Sequence, residues 1–394
     1  MPILSSNIQK AYAICLHDLR SCCIQGGGIL ASPVNFSDYW ARDTFWAALG
    51  MLKINTDQES RQVKTTLELF FKYQRADGKI PRKIALDYNG LKYLGLKICR
   101  KNPRPIYYSP IGFLFSMDDN LLLAIAFCLY VEQSRDLIFA REHFQKAIKS
   151  LEFYKKRQLL SKNLIEEKGL GNWMDTIFKK GNVLYTNCIW YESLRLLENL
   201  EKKLGMKPDS SRLPSSIAVR RSIRDKFWIA EKQYFADNLP KAGRQNKYFD
   251  LAGNLLAILF EIADAEQREN IFKKIRASKK KGDRLHRINE PLYPFWKVNP
   301  IAQIFGIGRY HNGISWSWLE SLLIIAQSKF GKQEEARKNL ENISEIILQN
   351  KHLHETYFLN GRPFDHLLWK SAVPFAWGAG MFLWAVETHK STVK

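Results

Sequence analysis

The chain has 394 residues, enough to bury a large hydrophobic core in one or two domains without disulfides or structural metals. Its net charge of +21 suggests a nucleic-acid or anionic membrane partner, but lysine and arginine are spread along the whole chain. The densest basic run, Lys273 to Lys281, lies where a predicted helix ends, which suits the helix dipole and solubility. We therefore expect no nucleic acid as a primary partner.

The remaining composition argues against several other classes of protein. The six cysteines include no Cys-x-x-Cys pair, and several lie in apolar helical patterns, as expected in a reducing compartment. The histidines show no familiar zinc spacing, so we expect no metal and no cofactor. The N-terminus lacks a signal-peptide pattern, and no stretch reaches the ~18–20 apolar residues that cross a bilayer. These observations predict a cytoplasmic protein without a membrane partner.

Apolar residues spaced three, four and seven apart predict helix after helix and very little strand. In chain order, the predicted helices are 6–24, 42–53, 57–75, 118–131, 136–157, 187–204, 213–232, 249–263, 265–279, 313–330, 332–350 and 371–389. They form six successive antiparallel pairs. Because no Pro/Ser-rich linker divides the pairs, we expect one all-α domain over residues 1–394.

Long, aromatic-rich loops separate many of these helices. They span residues 26–41, 76–117, 159–186, 234–248, 281–312 and 351–370. Loops of that length are uncommon inside a compact domain unless they carry function. Six loops and six helical pairs predict a toroid of hairpins with the long loops on one face. Since a rigid scaffold positions residues on loops, that face is expected to hold the functional site.

Two acids in these loops are candidates for proton transfer. Asp175 lies in Gly-Asn-Trp-Met-Asp-Thr, before an aromatic-rich predicted helix. A carboxyl held against Trp173 would lose hydration, which favours the protonated form that a general acid needs. The alternative is a solvated aspartate that caps the next helix. Glu355 lies in the loop before the last helix, a placement that would let it face Asp175 across a central cavity.

Polar and aromatic residues also cluster where the other long loops end. Arg42 and Asp43, beside two tryptophans, would supply fixed partners for sugar hydroxyls and a stacking wall, or only a local salt bridge. Asp118 is one of two adjacent acids, more than helix capping needs. Each cluster alone also fits a turn, a cap or the core, but their recurrence in successive hairpins favours a site. The candidate binding residues are Tyr39, Trp40, Arg42, Asp43, Arg82, Asp118, Trp173, Asn187, His311, Asn312, Trp316 and Trp369.

These motifs resemble those of glycogen-debranching-type amylo-alpha-1,6-glucosidases and related inverting glucosidases, which have an (α/α)6 barrel. The segments that carry the resemblance run in order from about 39 to 384 and include Arg42-Asp43-Thr44, Trp173-Met174-Asp175 and Tyr310-His311-Asn312-Gly313. The resemblance implies that Asp175 is the general acid. It also implies that Glu355 is the general base, by position more than by motif, and that the polar clusters bind the sugar to be released.

The chain departs from that family in two places. The family usually has Val-Glu before Ile-Asn, where this chain has Leu184-Tyr185-Thr186-Asn187, and the difference bears on leaving-group specificity. We also expect no additional N-terminal β-domain of the kind common in relatives, which favours a short oligosaccharide over a polymer as substrate. The predicted activity is inverting hydrolysis of α-glucosidic bonds in oligosaccharides or glycogen-like glucans.

Three alternatives to hydrolysis stay open at this point. One is an inverting sugar phosphorylase on the same fold, with Arg362 and Lys370 as candidate phosphate ligands near Glu355. Another is a non-catalytic carbohydrate-binding protein. The third, suggested by the charge, is a helical scaffold for an anionic partner.

Overall fold

The computed structural model describes residues 4–87, 99–109, 116–207, 209, 211–240, 245–366 and 369–392. Parts of the predicted loops 76–117, 234–248 and 351–370 lie outside the described residues. The helices are α1 (Ser6–Ser21), α2 (Ala41–Ile54), α3 (Asp57–Lys72), α4 (Asp119–Ser134), α5 (Leu137–Lys156), α6 (Leu184–Lys203), α7 (Ser216–Phe227), α8 (Leu251–Leu259), α9 (Ala265–Ser278), α10 (Pro300–Ile304), α11 (Ser317–Lys329), α12 (Gln333–Asn350) and α13 (Ala376–Thr392). All twelve predicted helices are confirmed, with ends that differ by at most five residues; α10 was not predicted.

Six of the helices form a closed inner ring. In order, α2, α4, α6, α8, α11 and α13 each pack against the next, and α13 returns to α2. The other long helices pack outside this ring, beginning with α1 against α13 and α3 against α2 and α4. This is the arrangement of helical hairpins that the loop pattern predicts.

The two kinds of helix differ in burial. The inner helix α4 is buried at every position from Asp119 to Cys128, because it is enclosed on all sides. The outer helix α3 buries one apolar stripe that includes Val63, Leu67 and Phe70. The ring is tightest between α2 and α13, where a Cβ on Gly50 would lie 2.1 Å from the Gly380 carbonyl oxygen. Only glycine therefore permits that approach.

The fold is helix-rich as predicted, but it is not all-α, because the long loops form antiparallel sheets. The strands are β1 (Tyr39–Trp40), β2 (Lys83–Asp87), β3 (Cys99–Ile106), β4 (Leu160–Ser161), β5 (Leu164–Gly169), β6 (Lys179–Val183), β7 (Trp228–Ile229), β8 (Tyr234–Leu239), β9 (Asn246–Asp250), β10 (Asn289–Glu290), β11 (Ser315–Trp316) and β12 (Thr356–Tyr357). One sheet has the order β1-β2-β3, a second runs β10-β9-β8-β6-β5-β4 with β7 beside β8, and β11 pairs with β12. Each sheet joins loops that are distant in sequence, so the loops lie together as predicted.

Among the described residues, no helix combines the length and the apolar character that crossing a bilayer would need.

Candidate active site

A pocket of about 620 Å³ lies where the long loops meet. Its lining residues are Phe36, Trp40, Arg42, Asp43, Arg82, Trp173, Asp175, Tyr310, His311, Trp316, Glu355, Trp369 and Trp377. Ten of the fourteen residues predicted from the sequence are in this set, including both acids. Its lining combines aromatic rings with a few charged groups, as ligand pockets do.

Backbone hydrogen bonds between loops bring these side chains together. The Ala41 amide donates to the Arg82 carbonyl over 2.9 Å, which places Arg82 beside the start of α2. On the opposite side, Trp316 of β11 pairs with Thr356 of β12. The Ser317 amide and hydroxyl both donate to the Glu355 carbonyl over 3.1 Å. The backbone of Glu355 is therefore fixed at the start of α11.

Asp175 lies among cationic and polar groups on one side of the pocket. Its carboxylate is 3.4 Å from Arg82 Nη2 and 3.7 Å from Arg42 Nη1, and its side chain is 33% exposed. The His311 ring lies 3.9 Å away, but burial lowers the pKa of His311 well below its ordinary range, so that ring is neutral. The prediction that the Asp175 carboxyl lies against an aromatic surface is thus incomplete, because two guanidinium groups also face it.

The structure also answers whether Asp175 is a helix cap. The helix that follows begins at Leu184, and its N-cap residue, Val183, makes no side-chain capping bond. Asp175 lies eight positions before Val183, in the loop between β5 and β6. It therefore has no capping role at this helix.

Arg42 is held in place by a residue behind the pocket. Its Nε and Nη2 donate to the two Asp118 carboxylate oxygens over 2.6 and 3.0 Å, a bidentate pair. Asp118 is fully buried and also accepts a hydrogen bond from the Tyr185 hydroxyl over 3.0 Å. The structure therefore places Asp118 differently from the prediction, since it orients Arg42 and does not line the pocket.

Glu355 lines the same pocket but is much more deeply buried than Asp175. It is 3% exposed, and its Oε2 atom has no hydrogen-bond partner among the described residues. Burial raises the pKa of Glu355 to about 8, against the opposing hydrogen bond from the Tyr310 hydroxyl and with a further increase from the charge of Asp43. Burial likewise raises the pKa of Asp43 to about 7, although Arg42 opposes the shift. An unpaired carboxylate oxygen in the pocket is a position where a water molecule can be bound.

Aromatic rings form the floor beneath these charged groups. Trp173 makes edge-to-face contacts with Trp316 and Trp318, with ring centroids 5.4 and 5.2 Å apart. His311 stacks on Trp316 with centroids 4.9 Å apart and an angle of 13° between the planes. The floor is thus a packed cluster, while Trp316 also presents a surface to the pocket.

Three more predicted binding residues lie outside the pocket lining. The Asn187 side chain accepts from the Ile165 amide over 2.8 Å and donates to the carbonyls of Ile165 and Val183. Asn312 makes the equivalent pair of bonds to the backbone of Tyr293. Tyr39 is buried and pairs with Ile84. These side chains secure the loops, and their buried hydrogen-bonding groups are not turned toward a substrate.

Three lining residues were missed by the sequence analysis. Tyr310 directly precedes His311 in the motif that was recognised, so its place in that motif was the available signal. Phe36 lies in the long loop 26–41 and contacts both Trp40 and Trp369. Trp377, at the start of α13, had no signal that separated it from the core tryptophans.

A second pocket of about 670 Å³ adjoins the first. Arg42, Arg82 and Asp175 line both pockets, whereas Glu355 lines only the first. Within the described parts of the chain, no group of three or more His, Cys, Asp or Glu side chains could hold a metal ion.

Comparison with known proteins identifies the fold. Residues 216–385 match the family model described as alkaline and neutral invertase, and no curated protein sequence matches. The GH63 mannosylglycerate hydrolase from Thermus thermophilus has 14% sequence identity and a TM-score of 0.68, over 95% of this chain and 99% of that one. The rhamnosidase from Klebsiella oxytoca, solved with rhamnose bound, has 14% identity and a TM-score of 0.66, over 97% of this chain and 64% of that one. The chain thus has the (α/α)6 fold of these glycoside hydrolases, as the sequence resemblance implies.

Proposed function

We propose that the protein is an inverting glycoside hydrolase in which Asp175 protonates the leaving oxygen and Glu355 activates water. The observation that carries this proposal is the placement of the two carboxyl groups. Asp175 lines both pockets, so it lies where a bond between a sugar in the first and a leaving group in the second would pass. Glu355 lines only the first pocket, beside the sugar. That division places one acid beside the leaving group and a second carboxyl beside the sugar, as glycoside hydrolysis needs, and the motif resemblance favours inversion.

The reaction is a single displacement at the anomeric carbon. Glu355 removes a proton from a water molecule as the water oxygen bonds to the anomeric carbon from the face opposite the leaving group. The bond to the leaving oxygen breaks as Asp175 transfers its proton to that oxygen. Room for the water requires carboxyl groups roughly 6.5–9.5 Å apart, and the products are a free sugar of inverted configuration and a free alcohol.

The surrounding residues hold the sugar and stabilise the charges. Arg42 and Arg82 face the leaving side of the pocket, where their guanidinium groups can bind sugar hydroxyls and stabilise Asp175 once it has lost its proton. Trp40, Trp316 and Trp369 offer apolar faces for the ring. Binding energy from these remote contacts can be used to distort the ring toward the transition state.

The charges around the two carboxyl groups favour the opposite roles, with Glu355 as the acid and Asp175 as the base. Glu355 is 3% exposed and its pKa is raised to about 8, as suits a general acid, whereas Asp175 faces two cations. We give more weight to position, because a group confined to the sugar pocket does not line the space that the leaving group would occupy. If Asp175 is the acid, its removal should matter less for substrates with good leaving groups; if Glu355 is the acid, that should hold for the removal of Glu355.

We propose α-glucosides as the substrate class. The sequence motifs around Arg42, Asp175 and His311 resemble those of α-glucosidases, and sucrose, the substrate that the name invertase denotes, is itself an α-glucoside. A phosphorylase receives less support, because neither of its candidate phosphate ligands lines a described pocket. Lys370 is 3.8 Å from Asp365, and Arg362 lies over the Phe358 ring.

The test is product analysis with purified protein on α-1,4-, α-1,6- and α-1,2-linked gluco-oligosaccharides and sucrose, with and without phosphate. We expect free glucose from at least one substrate in phosphate-free buffer, and no product from the Asp175→Asn variant. A strict requirement for phosphate would replace hydrolysis with phosphorolysis. Tight sugar binding without turnover would identify a non-catalytic binding protein.

A further inference from the structure

An unusual apolar surface adjoins the second pocket. Six residues with large apolar side chains in one segment are at least 39% exposed, and we call them the apolar rim: Leu292, Phe295, Trp296, Ile301, Ile304 and Phe305. Ile304 reaches 77% exposure and Phe295 71%. Exposed apolar residues are ordinary when scattered, but a cluster of this kind beside a pocket marks a place where something apolar binds.

The rim is fixed to the loop that carries Asp175. The Asn299 amide donates to the Thr176 carbonyl, and the Phe178 amide donates to the Lys297 carbonyl, both over 2.8 Å. The Asn299 side chain also caps α10 by accepting from the Ile301 amide over 3.0 Å. The rim therefore keeps a defined position relative to the catalytic carboxyl.

The lining of the second pocket is itself largely apolar where it meets the rim. Leu170, Ile301, Ala302, Phe305 and Ile307 all line it. The polar side chains there are partly engaged: Thr176 Oγ1 is 2.9 Å from His311 Nδ1, and Asn299 Oδ1 caps α10. Arg42 and Arg82 can bind sugar hydroxyls where this pocket joins the first, but a sugar extending toward the rim would find few such partners, and unpaired polar groups are costly to bury.

We propose that the second pocket and the apolar rim bind an alkyl or aryl leaving group, so that the preferred substrates are glycosides of apolar alcohols. This inference rests on the proposed function, since the leaving group must reach Asp175. The continuity of the rim with a pocket lined by Asp175 argues for a substrate group as the occupant. A second copy of the chain on the rim is the competing occupant.

The experiment compares two ligands with the same sugar. Methyl and hexyl α-glucoside are titrated calorimetrically into the Asp175→Asn variant, which is expected to bind without hydrolysing. Each buried methylene adds roughly fourfold in affinity, so hexyl α-glucoside should bind at least about tenfold more tightly than the methyl compound. Adding Ile301→Ser and Phe305→Ser should remove most of that preference. Ile217→Ser is the matched control, because Ile217 is 71% exposed and does not line the second pocket.

The possible outcomes separate this inference from the proposed function. Equal affinity for the two glucosides would overturn the apolar subsite and leave the hydrolase proposal standing. If neither glucoside binds, the same pairs of α-mannosides and α-rhamnosides are titrated. Tighter binding of the hexyl than of the methyl form of either sugar would support the apolar subsite but overturn the α-glucoside assignment. No binding of any of these ligands would overturn both. A concentration-dependent dimer in sedimentation that Phe295→Ser or Ile304→Ser abolishes would assign the rim to a second copy.

Discussion

The first pocket is lined by two carboxyl groups in contrasting surroundings. Asp175 is one-third exposed and faces Arg42 and Arg82, whereas Glu355 is buried and bonded to the Tyr310 hydroxyl. Both acids come from long loops of the same hairpin scaffold. The Trp173-Met174-Asp175 motif resembles that of a general acid, but the charges around the two carboxyl groups favour the reverse roles. The two acids differ in the pockets that they line, because Asp175 lines both and Glu355 lines only the first.

The largest predicted effect separates the two roles directly. Asp175→Asn and Glu355→Gln should each lower kcat/KM on an unactivated α-glucoside by about 10²–10⁴-fold, because each removes a proton-transfer group. On α-glucosyl fluoride, whose leaving group needs little protonation, Asp175→Asn should recover much of the loss and Glu355→Gln should not. Steady-state kinetics on both substrates provide the measurement.

The controls for this comparison are Glu231→Gln and Asp209→Asn, which alter acids that line neither pocket. Both should retain the activity of the unaltered protein. If only Glu355→Gln recovered kcat/KM on the fluoride, Glu355 would be the acid and Asp175 the base. That result would contradict the proposed roles.

The next effect comes from substitutions of Arg42, which faces Asp175. Arg42→Ala would leave the fully buried Asp118 without its cation, so we expect a loss of about 3–5 kcal/mol in the free energy of unfolding. Arg42→Lys keeps the charge but cannot form the bidentate pair and reach Asp175 together, so kcat/KM should fall about 10–100-fold. Chemical denaturation and kinetics measure the two effects separately.

Arg195→Lys is the matched control for this arginine, because Arg195 forms a bidentate pair with Glu192 over 2.7 and 2.6 Å away from the pocket. Its activity should be unchanged. An equal loss of activity in both variants would mean that Arg42 contributes only to the stability of the fold.

A smaller effect should appear in the free energy of unfolding, because Glu355 is buried. The pKa of Glu355 in the folded protein, about 8, lies above its ordinary value of 4.5, so the folded state holds the proton more tightly. Its contribution to stability is fully present below about pH 4.5 and is lost as the pH rises through about 8. Glu355→Gln should therefore raise the free energy of unfolding by on the order of 1–3 kcal/mol near pH 8.5 and much less near pH 4.5.

Thermal or denaturant unfolding of both proteins at the two pH values measures this difference. A stabilisation that is the same at both values would show that Glu355 carries no buried charge. The Tyr310→Phe variant provides a comparison, because losing the opposing hydrogen bond should raise the pKa of Glu355 further.

The smallest predicted effect is a shift in the pH profile. As a base, Glu355 must be ionised, so kcat/KM should rise with pH up to about 8. Asp43 adds negative charge that raises the pKa of Glu355, so Asp43→Asn should move this acidic limb to lower pH by less than about one unit. A pH–kcat/KM profile of both proteins measures the shift. An unmoved limb would indicate that another group controls it.

The helical scaffold was predictable because its apolar periodicity is local and extends over long segments. The sheets were not, since most strands have two to six residues and pair across loops that are far apart in sequence. Tyr39 and Trp40 illustrate the consequence. Successive side chains of a strand point to opposite faces, so Trp40 lines the pocket while Tyr39 is buried.

The residues that line the pocket and those that support the loops also look alike in sequence. Asn187 and Asn312 were predicted to bind sugar, yet both use their amides to hold backbone groups. Asp118 could be assigned its role only through its contact with Arg42, which lies 76 positions away in the chain. The motifs lead to the region of the first pocket, and three-dimensional contacts were needed to separate the residues that line it from those that support its loops.

The stereochemistry of the first product tests the central claim most directly. Proton NMR of a fresh reaction with the preferred α-glucoside should show β-glucose first, with α-glucose appearing only as the sugar mutarotates. That result would support attack by water from the side of Glu355 while Asp175 protonates the leaving oxygen. Initial release of α-glucose would contradict the account.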